Sequence, residues 1–313
     1  MKTLLLVCVS FWLSTISVAA QESDTAFDAS ALNELDSILT LEDSLSIFNM
    51  IDSLMQLPEV SFGSQLALRV GYSSNIASAE RTLGIGQFGL SPGISYYHKS
   101  GAYLDVSGYW SKEFEPAYYL TIISAGYIGS INKWWSILPE YSKYLYSQDN
   151  DDIVVPYTNS LGMSNFFDVK PVTFRLDYNF FFGDQVAHRL MPGIMLNLNK
   201  SHWLGMDRVS FFPSFNVLFG SETTIEEVPY STTLLGNLIR IRNGLDLFYE
   251  QEKTLFGVMN YGFSAPVTLR IKNWNFLLAY TYNIPKALPG EVLGLSNGGY
   301  LSSSITYTIN FKK

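Results

Sequence analysis

The chain has 313 residues, 47% of them hydrophobic and 15% aromatic, with a formal net charge of −8 and one cysteine. A single cysteine excludes a disulfide framework and a thiolate metal centre, three histidines leave little scope for an imidazole one, and no cofactor or metal is expected. The acidic balance excludes nucleic acid as a natural partner.

Residues 1–20 read as a secretory signal peptide: Lys2, then an apolar run from Leu4 through Val18, then Val18 and Ala20 placed for cleavage before Gln21. Cys8 lies inside that run, so the exported chain is expected to carry no cysteine. Residues 21–60 form an acidic segment with nine carboxylates (Glu22, Asp24, Asp28, Glu34, Asp36, Glu42, Asp43, Asp52, Glu59) and no Lys or Arg. Thr40 and Asp43 approximate a capping box. Leu41, Leu45, Phe48, Ile51, Leu54 and Met55 follow helical spacing, and Pro58 ends the run. The segment is expected to lie on the periplasmic side, against the lower rim of a barrel formed by residues 61–313, as a plug, or as a docking helix for a periplasmic protein through residues 28–57.

From residue 61 to 313 the period changes to two. In Val172 to Phe180 one face is Val, Phe, Leu, Tyr, Phe and the other Thr, Arg, Asp, Asn, which is the pattern of a strand with lipid on one side and water on the other. Leu66 to Tyr72, Trp274 to Tyr282 and Leu301 to Phe311 repeat it. No stretch beyond residue 20 has the roughly 18 apolar residues of a spanning helix. Twelve strands are expected, near 65–76, 86–98, 101–111, 117–129, 134–147, 154–167, 171–182, 186–198, 208–220, 254–271, 274–284 and 299–311. Tyr and Trp near strand ends (Tyr109 and Trp110, Tyr118 and Tyr119, Trp134 and Trp135, Tyr144 and Tyr146) are read as interfacial belts.

The fold class is therefore all-β and transmembrane: a closed antiparallel up-and-down barrel of about twelve strands, preceded by a short acidic helical segment. Tight turns after the even-numbered strands belong with both termini on the periplasmic side, and long loops lie outside. Three points stay open. Glu140 and Lys143 have opposite parity, which calls for a bulge or a shifted boundary. Thr233 to Phe248 could add a hairpin around Asn243-Gly244, giving fourteen strands. Pro92, Pro139, Pro156, Pro192, Pro213 and Pro266 fall inside strands, where each costs a ladder bond or needs a bulge.

The signal peptide, the alternating strands and the closing Ile305-Thr306-Tyr307-Thr308-Ile309-Asn310-Phe311 together resemble Gram-negative outer-membrane β-barrel proteins of porin-like architecture. The resemblance implies a place in the outer membrane, in contact with its lipid. It also implies that Tyr307, Ile309 and Phe311 form the signal read by the barrel assembly machinery.

Parity turns Arg69, Arg175, Arg189, Arg208 and Arg270 inward against Asp105 and Asp177, a basic excess. Two readings compete: a passive pore for small, anion-favoured solutes, lined by those seven residues, and a packed interior whose charges cancel. Gly89, Gly93, Ser91, Ser95, Gly262 and Ser264 face inward and argue for open space. A binding or structural role through outer loops or the periplasmic helix is the alternative function. A lipid-active enzyme is third, on the faint His-x-Ser similarity of His98 and Ser100 to outer-membrane phospholipases; a turn that happens to contain both residues is the plainer reading. Gly84 to Gly89 has G-x-G-x-x-G spacing but leads into a strand, and Asn150-Asp151-Asp152 reads as solvated loop.

Overall fold

The computed structural model describes residues 63–74, 89–111, 116–147, 157–230, 233–288 and 297–311. The expected signal peptide and acidic helical segment, the glycines before Gly89, Asn150 to Asp152 and Pro156 lie outside these residues.

The alternating sequence folds into β1 (Gln65–Ser73), β2 (Gly89–Tyr97), β3 (Ala102–Trp110), β4 (Tyr118–Tyr127), β5 (Gly129–Asn132), β6 (Trp135–Tyr146), β7 (Tyr157–Val169), β8 (Val172–Gly183), β9 (Val186–Leu196), β10 (Leu198–Trp203), β11 (Met206–Phe211), β12 (Ser214–Pro229), α1 (Leu234–Arg242), β13 (Phe248–Ile271), β14 (Trp274–Pro285) and β15 (Gly298–Asn310). Three pairs are single staves broken once: β4 with β5, β9 with β10, and β11 with β12. Among the described residues there are therefore twelve staves, each antiparallel to its sequence neighbours, and the last closes on the first with Gln65 opposite Asn310 and Ser73 opposite Ser302. Closure leaves no unpaired edge, which a membrane requires. No helix among the described residues is long and apolar enough to span a membrane.

The strand prolines explain the breaks. Pro139 pairs with β7, and on its other side the ladder stops between Gly126 opposite Glu140 and Gly129 opposite Ile137. Pro192 pairs with β8 while its β12 side is skipped between Asn216 and Phe219, beside the bulge at Leu218. Pro213 and Pro266 share the break between β11 and β12, where the Phe212 amide donates to the Pro266 carbonyl at 3.0 Å. Pro92 pairs with Val70 in a stretch where β2 and β3 are out of register contact. A residue without an N–H is tolerated where one neighbour makes no demand for it.

Both ends are distinct. Turns at His98 to Gly101, Lys170-Pro171, Leu204-Gly205 and Lys272-Asn273 lie at the end where β1 begins and β15 finishes, here the turn end. At the opposite, loop end, β12 and β13 run on together past their other neighbours, pairing only with each other from Glu222 opposite Leu255 to Pro229 opposite Phe248. This hairpin carries α1 at its tip. The additional hairpin considered for Thr233 to Phe248 is thus absent and the count stays at twelve. Asn243-Gly244, read as a hairpin turn, ends α1: Gly244 has φ +64°, its amide reaches the Ile241 carbonyl at 3.1 Å and that of Leu245 the Arg240 carbonyl at 3.0 Å, the paired bonds of a Schellman cap.

The outer surface is an apolar belt including Leu68, Val70, Leu104, Leu161, Phe174, Leu176, Leu278 and Ile305, all exposed. Aromatic residues mark its margins. Trp134, Trp135 and Phe167 stack at the turn end with ring centroids 5.8 to 6.3 Å apart, and Trp274 meets Tyr307 at 4.7 Å. Tyr178, Phe180 and His188 cluster toward the loop end. Other members of the expected belts turn the opposite way: Tyr109 and Tyr144 are buried inside, packed with Leu120, Ile122 and Phe181, and Tyr146 packs against them. Pairs in which both parities are aromatic, such as Tyr109-Trp110, carry no alternation signal from which to tell.

Candidate functional site: the lumen

Inward positions follow one parity along a stave except where a bulge switches it, as on β13 between Met259 and Asn260, and the register brings their side chains together around the wall. Arg69 on β1 lies opposite Gly93 on β2, which lies opposite Ser107 on β3. The guanidinium reaches across the glycine: Nη2 donates to Ser107 Oγ at 2.7 Å and stands 3.6 Å from Asp105. Ser95 and Ser107 both donate to the same carboxylate, Ser107 at 2.6 Å. A Cβ on Gly93 would come within 3.1 Å of the arginine and 2.9 Å of Ser107, so the glycine makes room for a side chain. Gly262 is covered in the same way by Asn216. Gly93 and Gly262, read from sequence as open space, are thus filled by neighbouring side chains.

The polar belt continues. The Tyr103 hydroxyl donates to Glu140, which also accepts from Ser142 at 3.2 Å, and Ser142 bonds Ser124 at 2.7 Å. Glu140 therefore faces the lumen. Lys143 lies on the outer parity of the same strand, and the ladders of β6 with β4 and β7 run through both residues without a shift; the bulge expected there is instead at Tyr109/Trp110 against β4 and at Ser130/Asn132 in β5. On β8, Arg175 Nε stands 2.5 Å from Asp177, with its guanidinium carbon 5.9 Å from the Phe166 ring. Arg189 on β9 is buried and donates to the Ser221 carbonyl. Arg208 and Arg270 are directly opposite one another across β11 and β13 at the turn-end mouth. All seven residues singled out from sequence as lining a pore stand on inward positions, and Glu140 joins the two aspartates there.

Inward apolar clusters were not anticipated. Tyr103, Leu138, Phe166, Met195 and Phe212, with Tyr97 and Ile128 against them, form an apolar strip toward the turn end. Met191, Leu218, Met259 and Leu288 form another at the loop end, so the segment after β14 dips a leucine into the bore. The pattern that could have revealed the strip is the appearance of Phe or Met at the otherwise polar parity, as at Phe166 and Met195.

His98 and Ser100 are brought together, Nδ1 to Oγ at 2.8 Å, but in an exposed turn closed by the Gly101 amide donating to the His98 carbonyl at 2.9 Å. The Ser100 amide also points at Nδ1, at 3.3 Å. That is the geometry of a side-chain turn, and the described residues bring no carboxylate to the ring. Tyr307, Ile309 and Phe311 sit on the outer face of β15, with Phe311 6.3 Å from Tyr96.

What the arrangement defines is a class: a membrane-spanning barrel with a charged, hydrogen-bonded inner wall. No protein-family model matches the sequence, and no curated protein matches it either. Among solved structures, the chain is similar to the KdgM porin (11% identity, TM-score 0.43, 79% of this chain and 99% of that one). It is also similar to LpxR from Salmonella typhimurium (12% identity, TM-score 0.42, 77% and 99%) and to the NanC porin (11% identity, TM-score 0.39, 79% and 100%). At TM-scores of 0.43 or less these likenesses say nothing about solute or reaction.

Proposed function

We propose that the protein is an outer-membrane barrel providing a narrow passive route for small solutes, with a preference for anions. The observation that carries this reading is the belt of charged and hydrogen-bonded side chains, including Arg69, Asp105, Glu140, Arg175, Asp177 and Arg189, that faces the interior of a twelve-stave cylinder, a size at which the bore is wider than its own side chains can fill. Five inward arginines, Arg69, Arg175, Arg189, Arg208 and Arg270, outnumber Asp105, Asp177 and Glu140 on the described inner wall, and the preference rests on that excess and on the Arg208 and Arg270 pair at the mouth. The closing β15 residues Tyr307, Ile309 and Phe311 fit the assembly signal on the lipid face. Planar-bilayer conductance of the purified chain, with and without residues 28–57, tests the proposal. The expected result is a discrete conductance whose reversal potential in a salt gradient favours anions, shifting toward neutrality in Arg208→Ala/Arg270→Ala. A bilayer that stays insulating with both proteins overturns it.

A second reading, binding through an outer surface, is favoured by α1, whose Leu234, Leu235, Leu238, Ile239 and Ile241 are all exposed while Arg240 holds the other side of the helix to the hairpin over Tyr230 at 3.9 Å. Unchanged conductance in a protein lacking residues 232–246 separates this surface from the route through the bore.

A further inference from the structure

Among the described residues five tight connections join staves at the turn end, and each carries an exposed lysine. Lys99 stands in the turn between β2 and β3, Lys133 between β5 and β6, Lys170 between β7 and β8, Lys200 in the β10–β11 hairpin and Lys272 between β13 and β14. The sixth position on the circle is the closure of β15 on β1. Twelve strands about 4.8 Å apart and tilted by about 40° close on a circle about 24 Å across, so neighbouring turns lie about 12 Å apart along the rim. The lysines form a ring, and among the described residues none of the five is in an ion pair.

Sign and depth narrow the partner. The described carboxylates at this end are Asp168, which accepts from the Thr173 hydroxyl, and Asp207, which accepts from the Lys272 amide at 2.5 Å. The loop end leans the other way: its tight turn, Gly183 to Gln185, holds Asp184 and no base, and the arms of the β12–β13 hairpin carry Glu222, Glu226, Glu227, Glu250 and Glu252 against Lys253. Depth is set by aromatic neighbours. Trp134 follows Lys133, Trp274 lies two residues beyond Lys272, Tyr96 and Phe167 lie three before Lys99 and Lys170, and the Lys200 Nζ is 5.6 Å from the Trp203 ring centroid. Rings at a barrel margin settle at headgroup level, so a lysine within three residues, about 10 Å of strand, brings its ammonium to the depth of lipid phosphates.

We propose that the lysine ring binds anionic phospholipid, each ammonium pairing with the headgroup of a lipid such as phosphatidylglycerol in the leaflet at the turn end. A leaflet meets all five turns at once and at this depth. In a zwitterionic lipid the headgroup's own ammonium offsets its phosphate, whereas phosphatidylglycerol keeps a net negative charge for the lysine. Neighbouring lysines about 12 Å apart are beyond a Debye length of about 8–10 Å, so each selects its own lipid. One basic residue at an anionic surface favours the charged lipid by about fivefold. The inference goes beyond the pore reading, because the ring would hold lipid around a conducting bore and a sealed one alike.

The test reads lipid contact at Trp274. In the full chain with Trp12, Trp110, Trp134, Trp135 and Trp203 replaced by Phe, this tryptophan is quenched in vesicles equimolar in phosphatidylglycerol and phosphatidylcholine, with bromine on the acyl chains of one lipid at a time. Both leaflets hold both lipids, so the direction of insertion does not matter. Quenching by phosphatidylglycerol is expected to be stronger by about fivefold, falling to parity in Lys272→Gln and in molar salt. Lys133→Gln, on the opposite side of the ring, should leave it unchanged. Equal quenching by the two lipids in the parent overturns the proposal and leaves the ring to an acidic protein. A preference that survives Lys272→Gln, or that Lys133→Gln removes equally, overturns it too. A second measurement keeps every tryptophan: the chain extracted from the same vesicles in mild detergent should retain phosphatidylglycerol over phosphatidylcholine, and a variant with all five lysines changed to Gln should retain them in the vesicle ratio. Folding of each protein is verified by heat-modifiable gel mobility, and the same retained ratio in both proteins contradicts the ring. Neither readout depends on conductance, so the lipid ring and the pore stand or fall separately.

Discussion

The arginine over a glycine is the smallest unit on which the lumen is built. Arg69 spans β2 to reach Ser107 and Asp105 only because position 93 has no side chain. Gly93→Val puts two methyls where the guanidinium lies and is expected to lower the urea midpoint of the folded barrel in liposomes, whereas Ser91→Val two residues along the same face does so by less; equal losses would remove the glycine's role. Arg69→Ala leaves the Asp105 carboxylate with two hydroxyl donors but no counter-charge, at a cost of about 3 kcal/mol, the lower end of the range for a broken buried pair. Asp105→Asn in the same background should recover part of it, because the orphaned charge is what costs; a double-mutant cycle with no coupling contradicts the pairing. At this scale sequence was informative about direction and silent about distance. Alternation turned Arg69, Asp105, Arg175 and Asp177 to one face, but that Arg69 bonds across an intervening strand depends on register, which the sequence does not print. Glu140 and Lys143 looked inconsistent only while both were taken as lumen charges; Lys143 has the outer parity.

Strands were legible and their interruptions were not. All twelve expected segments correspond to staves, since period-two patterning against turn residues is a strong signal when one face meets lipid. The extra length of β12 and β13 was missed because Glu222 to Glu227 and Glu250 to Lys253 hold a single apolar residue, Ile225, and so show no alternation: beyond the membrane neither side of a hairpin needs to be greasy. The Asn243-Gly244 pair misled for a chemical reason, because a left-handed glycine suits a type I′ turn and a helix C-terminus equally. The belt itself makes a sharp comparison. Leu278 and Leu238 are both exposed, at 44% and 56%, but only Leu278 stands among lipid-facing staves. Leu278→Arg is expected to destabilise the folded protein in liposomes by about 2–4 kcal/mol, as charged residues do near a bilayer midplane, and Leu238→Arg on α1 by under about 0.5 kcal/mol. Equal effects would place the two leucines in the same medium.

For the molecule as a whole, the fold makes one demand: the two faces of every stave must meet different phases. The bore's polar belt, its apolar strips and the proposed anion preference all presuppose it. Composition pointed this way through an absence of spanning helices beside abundant aromatics, yet what fills the bore was beyond reach of the pattern, because a packed interior and a water-lined one use the same parity. Spin labels placed singly along β8 in proteoliposomes test the demand most directly. Labels at 174, 176 and 178 should relax with oxygen dissolved in lipid, and labels at 173, 175 and 177 should not, giving a period of two along the strand. Labels at 174, 176 and 178 that instead respond to a water-soluble nickel complex, with no alternation, would contradict the membrane-spanning barrel outright.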